Sequence, residues 1–408
     1  MNNKRVLQQL TKILIILMLF FFCGCFPGIR EEITQFNSLK KIRAANYPLF
    51  MDTLDFQGFE ASIDYSLEYF KRVPLDRKYQ YGKQMYSSAH LIVSLETMKA
   101  YLKTHPSTKD LNKFIKSRYL VYESVGNEDE QVLFTGYYEP TYDGSLVRTV
   151  EYMYPLYSYP DDLLEIDLSV FSDTYKGHKR LKAMVDESTK RVVPYYSRKQ
   201  INNIKDFHLR SEPIAWLKNR VDRFFLEIQG SGRVRLSENE EIQVHYASSN
   251  GNAYQSVGRY LIEKQEILKQ DMSMQAIRNW LEQNPDRMDE VLHHNDSFVF
   301  FQKEEDGPVG SLGVKVTPFR SIATDSGLFP KGALCFMQTR LPDKISLQPL
   351  IEWENASIFV MNQDTGGAIQ GPARADLFCG NGAYAEFTAG HKNIYGRLFF
   401  LILDPDQP

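Results

Sequence analysis

The chain is predicted to be mainly β with a helical N-terminal part, an α+β organisation. Three observations predict it. Apolar residues recur at helical spacing over 55–125. From about residue 132 the period shortens to two. The strands after residue 298 are short, apolar and divided by Gly, Pro and Asp turns, as in a barrel or sandwich.

The N-terminus has the order of a targeting segment. Lys4, Arg5 and Lys12 form a basic start, Ile13 to Phe22 is an apolar run, and Cys23-Gly24-Cys25 follows. The run suits a secretory h-region and falls short of the roughly 20 residues a spanning helix needs. Gly24 before Cys25 fits lipoprotein processing, so residues 1–25 are expected to be a signal peptide with Cys25 lipidated; an uncleaved signal anchor is the alternative. Phe26 after the cysteine favours the outer membrane, by analogy with bacterial lipoproteins. Roughly 380 residues would remain, enough for two domains.

Leu91, Leu95, Met98 and Leu102 share one helix face ending at His105-Pro106. Ser107 is expected to cap the next helix, with Leu111, Phe114 and Ile115 on its buried side. Val132–Tyr138, Arg223–Gln229 and Glu241–Tyr246 read as strands between turn residues, so 136–260 is expected to be mostly β. Ser273–Glu282 returns to helix, and a short helix after Pro285 runs to Leu292. Later strands are expected at Phe298–Phe301, Gly313–Val316, Ala333–Met337, Ser357–Met361 and Gly396–Leu403. No internal repeat or low-complexity linker separates the two β regions.

Net charge is −3, which leaves no electrostatic footprint for nucleic acid. Hydrophobic residues make up 43% of the chain, enough for real cores. Cys335 and Cys379 either pair in an oxidising compartment or stay buried and free, the commoner outcome inside apolar strands. The histidines show no ligand spacing, so neither a metal nor a cofactor is expected.

Three aspartates carry the chemistry. Asp325 lies in Ala-Thr-Asp-Ser-Gly, and Asp364 and Asp376 share the Gly-punctuated run Asn362 to Gly380. A buried carboxylate is costly unless paired or neutralised, and crowded carboxylates raise the pKa of at least one. Asp325-Ser-Gly and Asp364-Thr-Gly suggest an aspartic protease. Only 328–363 separate them, too little for a lobe of about 100 residues, and Thr324 and Gln363 are polar where that fold packs apolar side chains. The alternative is a sugar enzyme, which usually needs two carboxylates. One acid suffices if the substrate's own hydroxyl attacks, because intramolecular attack gains from effective molarity.

The motifs Phe134-Thr-Gly-Tyr-Tyr-Glu-Pro140, Arg223-Phe-Phe-Leu-Glu-Ile-Gln-Gly-Ser-Gly-Arg233, Tyr246-Ala-Ser-Ser-Asn-Gly251, Thr317-Pro-Phe-Arg-Ser-Ile-Ala-Thr-Asp325 and Asp364-Thr-Gly-Gly-Ala-Ile-Gln-Gly371 with Arg374-Ala-Asp376 occur in that order. In these the chain resembles the membrane-bound lytic murein transglycosylase A family over roughly 130–400. The resemblance implies a double-psi β-barrel domain interrupted by a second, mainly β domain, with a glycan in the groove between them. It implies a first barrel segment and helical part over 26–134, an insert over 135–295 and a three-aspartate (3D) domain over 296–408. The implied reaction is non-hydrolytic cleavage of the β-1,4 bond between N-acetylmuramic acid and N-acetylglucosamine, the muramoyl C6 hydroxyl closing a 1,6-anhydro ring.

By the same resemblance Asp376 is the catalytic acid, then base. Asp364 and Asp325 are its candidate neighbours, or hold turns. Gln229, Gly230 and Ser231 are expected to face the glycan; Tyr137, Tyr138 and Tyr246 are candidates to stack on sugar rings, with a core or structural role the commoner alternative for each. Thr135 and Glu139 are further candidate contacts, and Glu139 is the alternative acid. Gln370 stands where the family has Lys, and the Pro372-Ala-Arg-Ala spacing differs from some members. The expected partners are the peptidoglycan strand and a membrane through the lipid anchor, with room for other cell-wall enzymes. A glycan-binding lipoprotein without turnover is the second reading, since folds outlast functions.

Overall fold

The computed structural model describes residues 33–176, 180–305, 307–343 and 352–407; Cys25 and the signal segment lie outside the described residues. Among the described residues no helix is long and apolar enough to cross a membrane.

The first segment holds strand β1 (Leu39–Lys41) and helices α1 (Phe59–Lys71), α2 (Ser88–Leu102) and α3 (Thr108–Arg118). Ser107 caps α3 through the Asp110 N–H, as its position predicts. The expected helical run is interrupted, however. Strands β2 (Lys78–Tyr81) and β3 (Gln84–Ser87) form a hairpin, and β4 (Tyr119–Ser124) follows α3. Tyr79, Tyr81 and Tyr86 are buried from this hairpin, and aromatic residues suit the pleated surface better than a helix.

Strand β5 (Val132–Glu139) leads into the insert. Its strands are β6 (Thr141–Ser145), β7 (Tyr154–Tyr157), β8 (Leu164–Ile166), β9 (Leu181–Asp186), β10 (Arg191–Pro194), β11 (Pro213–Leu217), β12 (Ser231–Ser237), β13 (Glu240–Ser249) and β14 (Val299–Glu304). They make a six-stranded sheet, ordered β14-β13-β12-β6-β11-β7, and a small sheet, β10-β9-β8. Helices α4 (Arg198–Asn203), α5 (Arg220–Gln229), α6 (Val257–Glu263), α7 (Met274–Gln283) and α8 (Met288–His293) pack around them. Ser273 caps α7.

The strand expected at Arg223–Gln229 is α5 instead. Val221, Phe224 and Phe225 bury one stripe at helical spacing, and Asn219 caps the start by accepting from the Asp222 N–H. Polar Arg223 and Glu227 are also buried and face each other one turn apart. The helical spacing is present in the sequence, but Phe224, Phe225, Leu226 and Ile228 are also residues that suit a strand, and the two readings compete over so short a run.

The last segment contributes β15 (Ser321–Ala323), β16 (Leu334–Pro342), β17 (Trp353–Asp364), β18 (Arg374–Asn381), α9 (Ala383–His391) and β19 (Ile394–Leu403). The strand expected at Gly313–Val316 is a turn. Gly313 sits in the left-handed region at φ 66° and donates to Gly310, while Val309 and Lys315 form one isolated bridge. Strand β18, which carries Asp376, is absent from the sequence expectations, because charged residues and Gly interrupt its apolar alternation.

Strands β19, β16, β17, β15, β18 and β5 pair in succession, and β5 pairs back with β19. This closes a six-stranded barrel, with β4 and β1 extending beyond β19. Closure removes the edges that an open sheet would leave unpaired. The fold class expected from the sequence therefore stands. The principal core joins helices α1–α3 to the barrel through residues such as Phe50, Phe59, Phe336 and Phe359.

A buried ion pair fixes the first segment to the barrel. Arg320 reaches Asp52 through two nitrogens, at 2.6 and 2.9 Å, and both side chains are fully enclosed. Asp52 also accepts from the Phe359 N–H, and Arg320 donates to the Phe359 and Gln57 carbonyls. Such a pair is tolerable because nearly every lone pair and N–H has a partner.

Candidate active site

The site is built where β5, β15, β17 and β18 meet. Strand β18 pairs parallel with β5, placing Asp376 opposite Thr135, and antiparallel with β15, placing Asp376 opposite Ala323. Ala323 is also the register partner of Asp364 at the end of β17. Two carboxylates far from Thr135 in sequence are thereby gathered on one face of the barrel.

Space for this comes from Gly136. A side chain there would meet the backbone of Ala389 at 2.9 Å and the Cys379 sulfur at 3.1 Å. Helix α9 therefore packs directly on β5, and Thr135 and Tyr137 flank the glycine on the opposite face by strand alternation.

Asp376 is the aspartate left with an orphaned oxygen among the described residues. Its residue surface keeps partial exposure, but Oδ1 is shut off from solvent and has no hydrogen-bond partner among the described residues. Burial raises its pKa to about 6; Thr135 and the Arg374 and Lys392 cations pull it down, and the Asp364 charge pushes it up. A carboxyl in that range gives and takes protons near neutral pH.

Asp364 is held differently. Tyr137 Oη donates to its Oδ2 at 2.8 Å, and the Ser311 and Thr365 N–H groups donate to Oδ1, each at 2.8 Å. Burial raises its pKa, against the pull of these donors. The Tyr137 ring packs on Phe378 at 5.2 Å between centroids, and burial drives its phenol well above the ordinary range. Asp325 devotes both oxygens to the backbone: Oδ1 accepts from the Gly327 N–H and Oδ2 from the Gly371 N–H, both at 2.8 Å. Its oxygens hold a turn and tie down the loop before β18.

The other predicted site residues divide. Glu139 is buried, and its Oε2 accepts from Arg233 Nε at 2.8 Å and Asn381 at 3.5 Å. Gln229 reaches back to β5: its Oε1 accepts from the Tyr138 N–H at 2.9 Å, and its amide nitrogen lies against Met274 sulfur. Gly230 ends α5 in the left-handed region at φ 78°, where a Cβ would be strained, and its carbonyl accepts from the Tyr246 N–H. Ser231 is buried at the start of β12, opposite His245. Tyr246 is exposed, while Tyr138 is enclosed with Cys379 and Ala385. Gln370 is exposed and turns back to its own loop at the Gly367 carbonyl. Cys335 and Cys379 are both buried and free.

Sequence reasoning missed His245 and Arg374. His245, on β13 of the insert, feels the Asp364 charge from across the site. Burial lowers its pKa, and its Nδ1 has no partner among the described residues. The only signal was its place beside Tyr246 in a matching motif. Arg374 donates to the Thr135 hydroxyl at 3.3 Å. Among the described residues no group of His, Cys, Asp or Glu side chains could hold a metal ion.

A closed barrel carrying a perturbed aspartate, interrupted by a β-rich insert that faces it, defines a two-part, carboxylate-centred class of protein. Comparisons with known proteins make that class specific. Residues 133–302 match the MltA specific insert domain and 320–402 match the 3D domain. A membrane-bound lytic murein transglycosylase A of Escherichia coli strain K12 is 30% identical over 277 residues, 67% of this chain and 66% of that protein. The aligned span is thus about two thirds of that relative's own length. The crystal structure of a membrane-bound lytic murein transglycosylase from Agrobacterium tumefaciens superposes with a TM-score of 0.72 at 25% identity, covering 90% of this chain and 98% of that one. A crystal structure of MltA from Neisseria gonorrhoeae gives 0.67 at 27% identity, covering 90% and 92%. The chain belongs to the membrane-bound lytic murein transglycosylase A family.

Proposed function

We propose that this protein is a peptidoglycan lytic transglycosylase, a carbon–oxygen lyase with Asp376 as its single acid and base. The observation that carries the reading is Asp376 itself: a carboxyl with one orphaned oxygen and a pKa raised to about 6, on a barrel strand opposite Thr135. The names of the relatives supply the substrate class, murein.

In the proposed step, protonated Asp376 gives its proton to the glycosidic oxygen between N-acetylmuramic acid and N-acetylglucosamine. The C1–O bond breaks, and the N-acetylglucosamine hydroxyl leaves. The muramoyl C6 hydroxyl then attacks C1 and its proton returns to Asp376. The product is a 1,6-anhydromuramoyl end, and no water is consumed. Asp364 keeps a second negative charge near Asp376, supported by Tyr137. Glu139 is a weaker candidate for the acid, because Arg233 and Asn381 already engage its carboxylate.

We also propose a division near 26–134, 135–295 and 296–408; barrel and insert strands form separate sheets, with β5 as far as Glu139 in the barrel and β14 from Val299 in the insert sheet. The glycan would lie between them, against Tyr137, His245 and Tyr246. Lipidation at Cys25 would hold the protein to the cell envelope, on the periplasmic side of the outer membrane.

The test is incubation of the full chain with purified sacculi and mass analysis of the soluble products. Anhydro-muropeptides, abolished by Asp376→Asn, are expected. Reducing muramic-acid ends would make the enzyme a hydrolase and defeat the reading.

A further inference from the structure

We propose that Arg374 is a positioning residue for proton transfer at Asp376, acting through the Thr135 hydroxyl. The inference rests on the proposed role of Asp376. Arg374 and Asp376 are two apart on β18 and so share a face of the strand. Thr135 is the register partner of Asp376 on β5, and its Oγ1 accepts from Arg374 Nη2 at 3.3 Å.

Hydrogen-bond inventory orients the hydroxyl. Arginine only donates, whereas threonine has one O–H and two lone pairs. With a lone pair taken by Arg374, the Thr135 O–H is left to turn toward the carboxyl opposite it. That carboxyl has an unpartnered, enclosed oxygen, Oδ1, and Arg374 has an unpartnered, enclosed donor, Nε, among the described residues. Unpartnered groups on either side of one hydroxyl are costly in a folded protein. They make sense where charge appears during a reaction.

When Asp376 gives up its proton, the new carboxylate gains the Thr135 O–H as a donor and the Arg374 cation as a counter-charge. When Asp376 is protonated, neither is needed. The pair therefore favours the ionised form and keeps Asp376 a strong enough acid. The other groups that face Asp376 among the described residues are Asp364 from β17, Tyr137 from β5, Cys379 from β18 and Lys392 after α9. Of the cations, Lys392 is occupied elsewhere, donating to Thr339 Oγ1 and the Arg340 carbonyl. Arg374 is the cation joined to the hydroxyl.

The experiment is a carboxyl 13C NMR titration of the aspartate-labelled chain, with Asp376 assigned from Asp376→Asn, alongside the pH profile of muropeptide release. Arg374→Gln and Thr135→Val are expected to raise the Asp376 midpoint by roughly one pH unit, and the alkaline limb of activity should move up with it. Arg374→Lys and Thr135→Ser are expected to keep both near the parent values. If Arg374→Gln does not fold, the near-isosteric Thr135→Val carries the test alone. An unmoved midpoint in either folded variant overturns the proposal. Shifted midpoints in a protein that releases no muropeptides would uphold the pairing and defeat the lyase reading instead.

Discussion

Tyr137 donates its phenolic O–H to Asp364 Oδ2 at 2.8 Å, joining strand β5 to the end of β17 across more than half the chain. The bond links the first matching motif to the second aspartate. It gives Asp364 a donor in a place where burial would otherwise favour the neutral acid. Tyr137→Phe deletes that donor and little else. A hydrogen bond to a charged group contributes about 1.5–3 kcal/mol, so turnover on sacculi is expected to fall roughly tenfold. A thermal melt should show the fold intact.

Asp376→Asn is expected to lower muropeptide release by about 10²–10⁴-fold, the range of a lost general acid. Binding to sacculi, measured by co-sedimentation, should persist. Full turnover in this variant would remove Asp376 from the site.

The same substitution has a stability signature. A carboxyl whose folded pKa lies above its unfolded value binds more protons when folded. Its contribution is present below the unfolded value, near 3.8, and is lost as pH rises through about 6. At pH 7.5 Asp376→Asn should therefore stabilise the protein by about 1–2 kcal/mol. At pH 3.5 the gain should vanish. Denaturant unfolding at the two pH values checks both.

Activity is expected to decline as pH rises through about 6, since the proposed first step would draw its proton from Asp376. Initial rates of release between pH 4.5 and 8 measure this. A profile flat across that window would mean that another group supplies the proton.

Asp52→Ala leaves Arg320 enclosed without its counter-charge. Removing one partner of a buried pair costs about 3–5 kcal/mol. Unfolding in urea should show a loss of that size, with no change in the pH dependence of whatever activity remains.

Much of the fold was legible in the sequence. The α2 stripe, the cap at Ser107, the helix beginning near Ser273 and the apolar strands β5, β13, β16, β17 and β19 follow from period and end signals. What failed has a physical reason in each case. Helix α5 is rich in Phe, Leu and Ile, which suit a strand as well, and its burial of Arg223 and Glu227 depends on the tertiary packing. Gly313–Val316 has strand-forming residues, but Arg72 donates to the Leu312 and Gly313 carbonyls and fixes a turn. At the site, the three aspartates could be named in advance. Gln229 could not be assigned its bond to the Tyr138 N–H, which depends on how the insert returns to β5.

The sequence by itself determined the mainly β class, the targeting pattern before Cys25, the family likeness and the aspartates worth testing. The tertiary structure alone decided how those aspartates differ. Barrel closure leaves Asp376 with an orphaned oxygen beside Thr135 and Arg374, gives Asp364 to Tyr137, and commits Asp325 to two backbone N–H groups. The reason is that a carboxyl's chemistry is set by burial and by its neighbours within a few ångströms. Those neighbours come from strands that lie far apart in the chain.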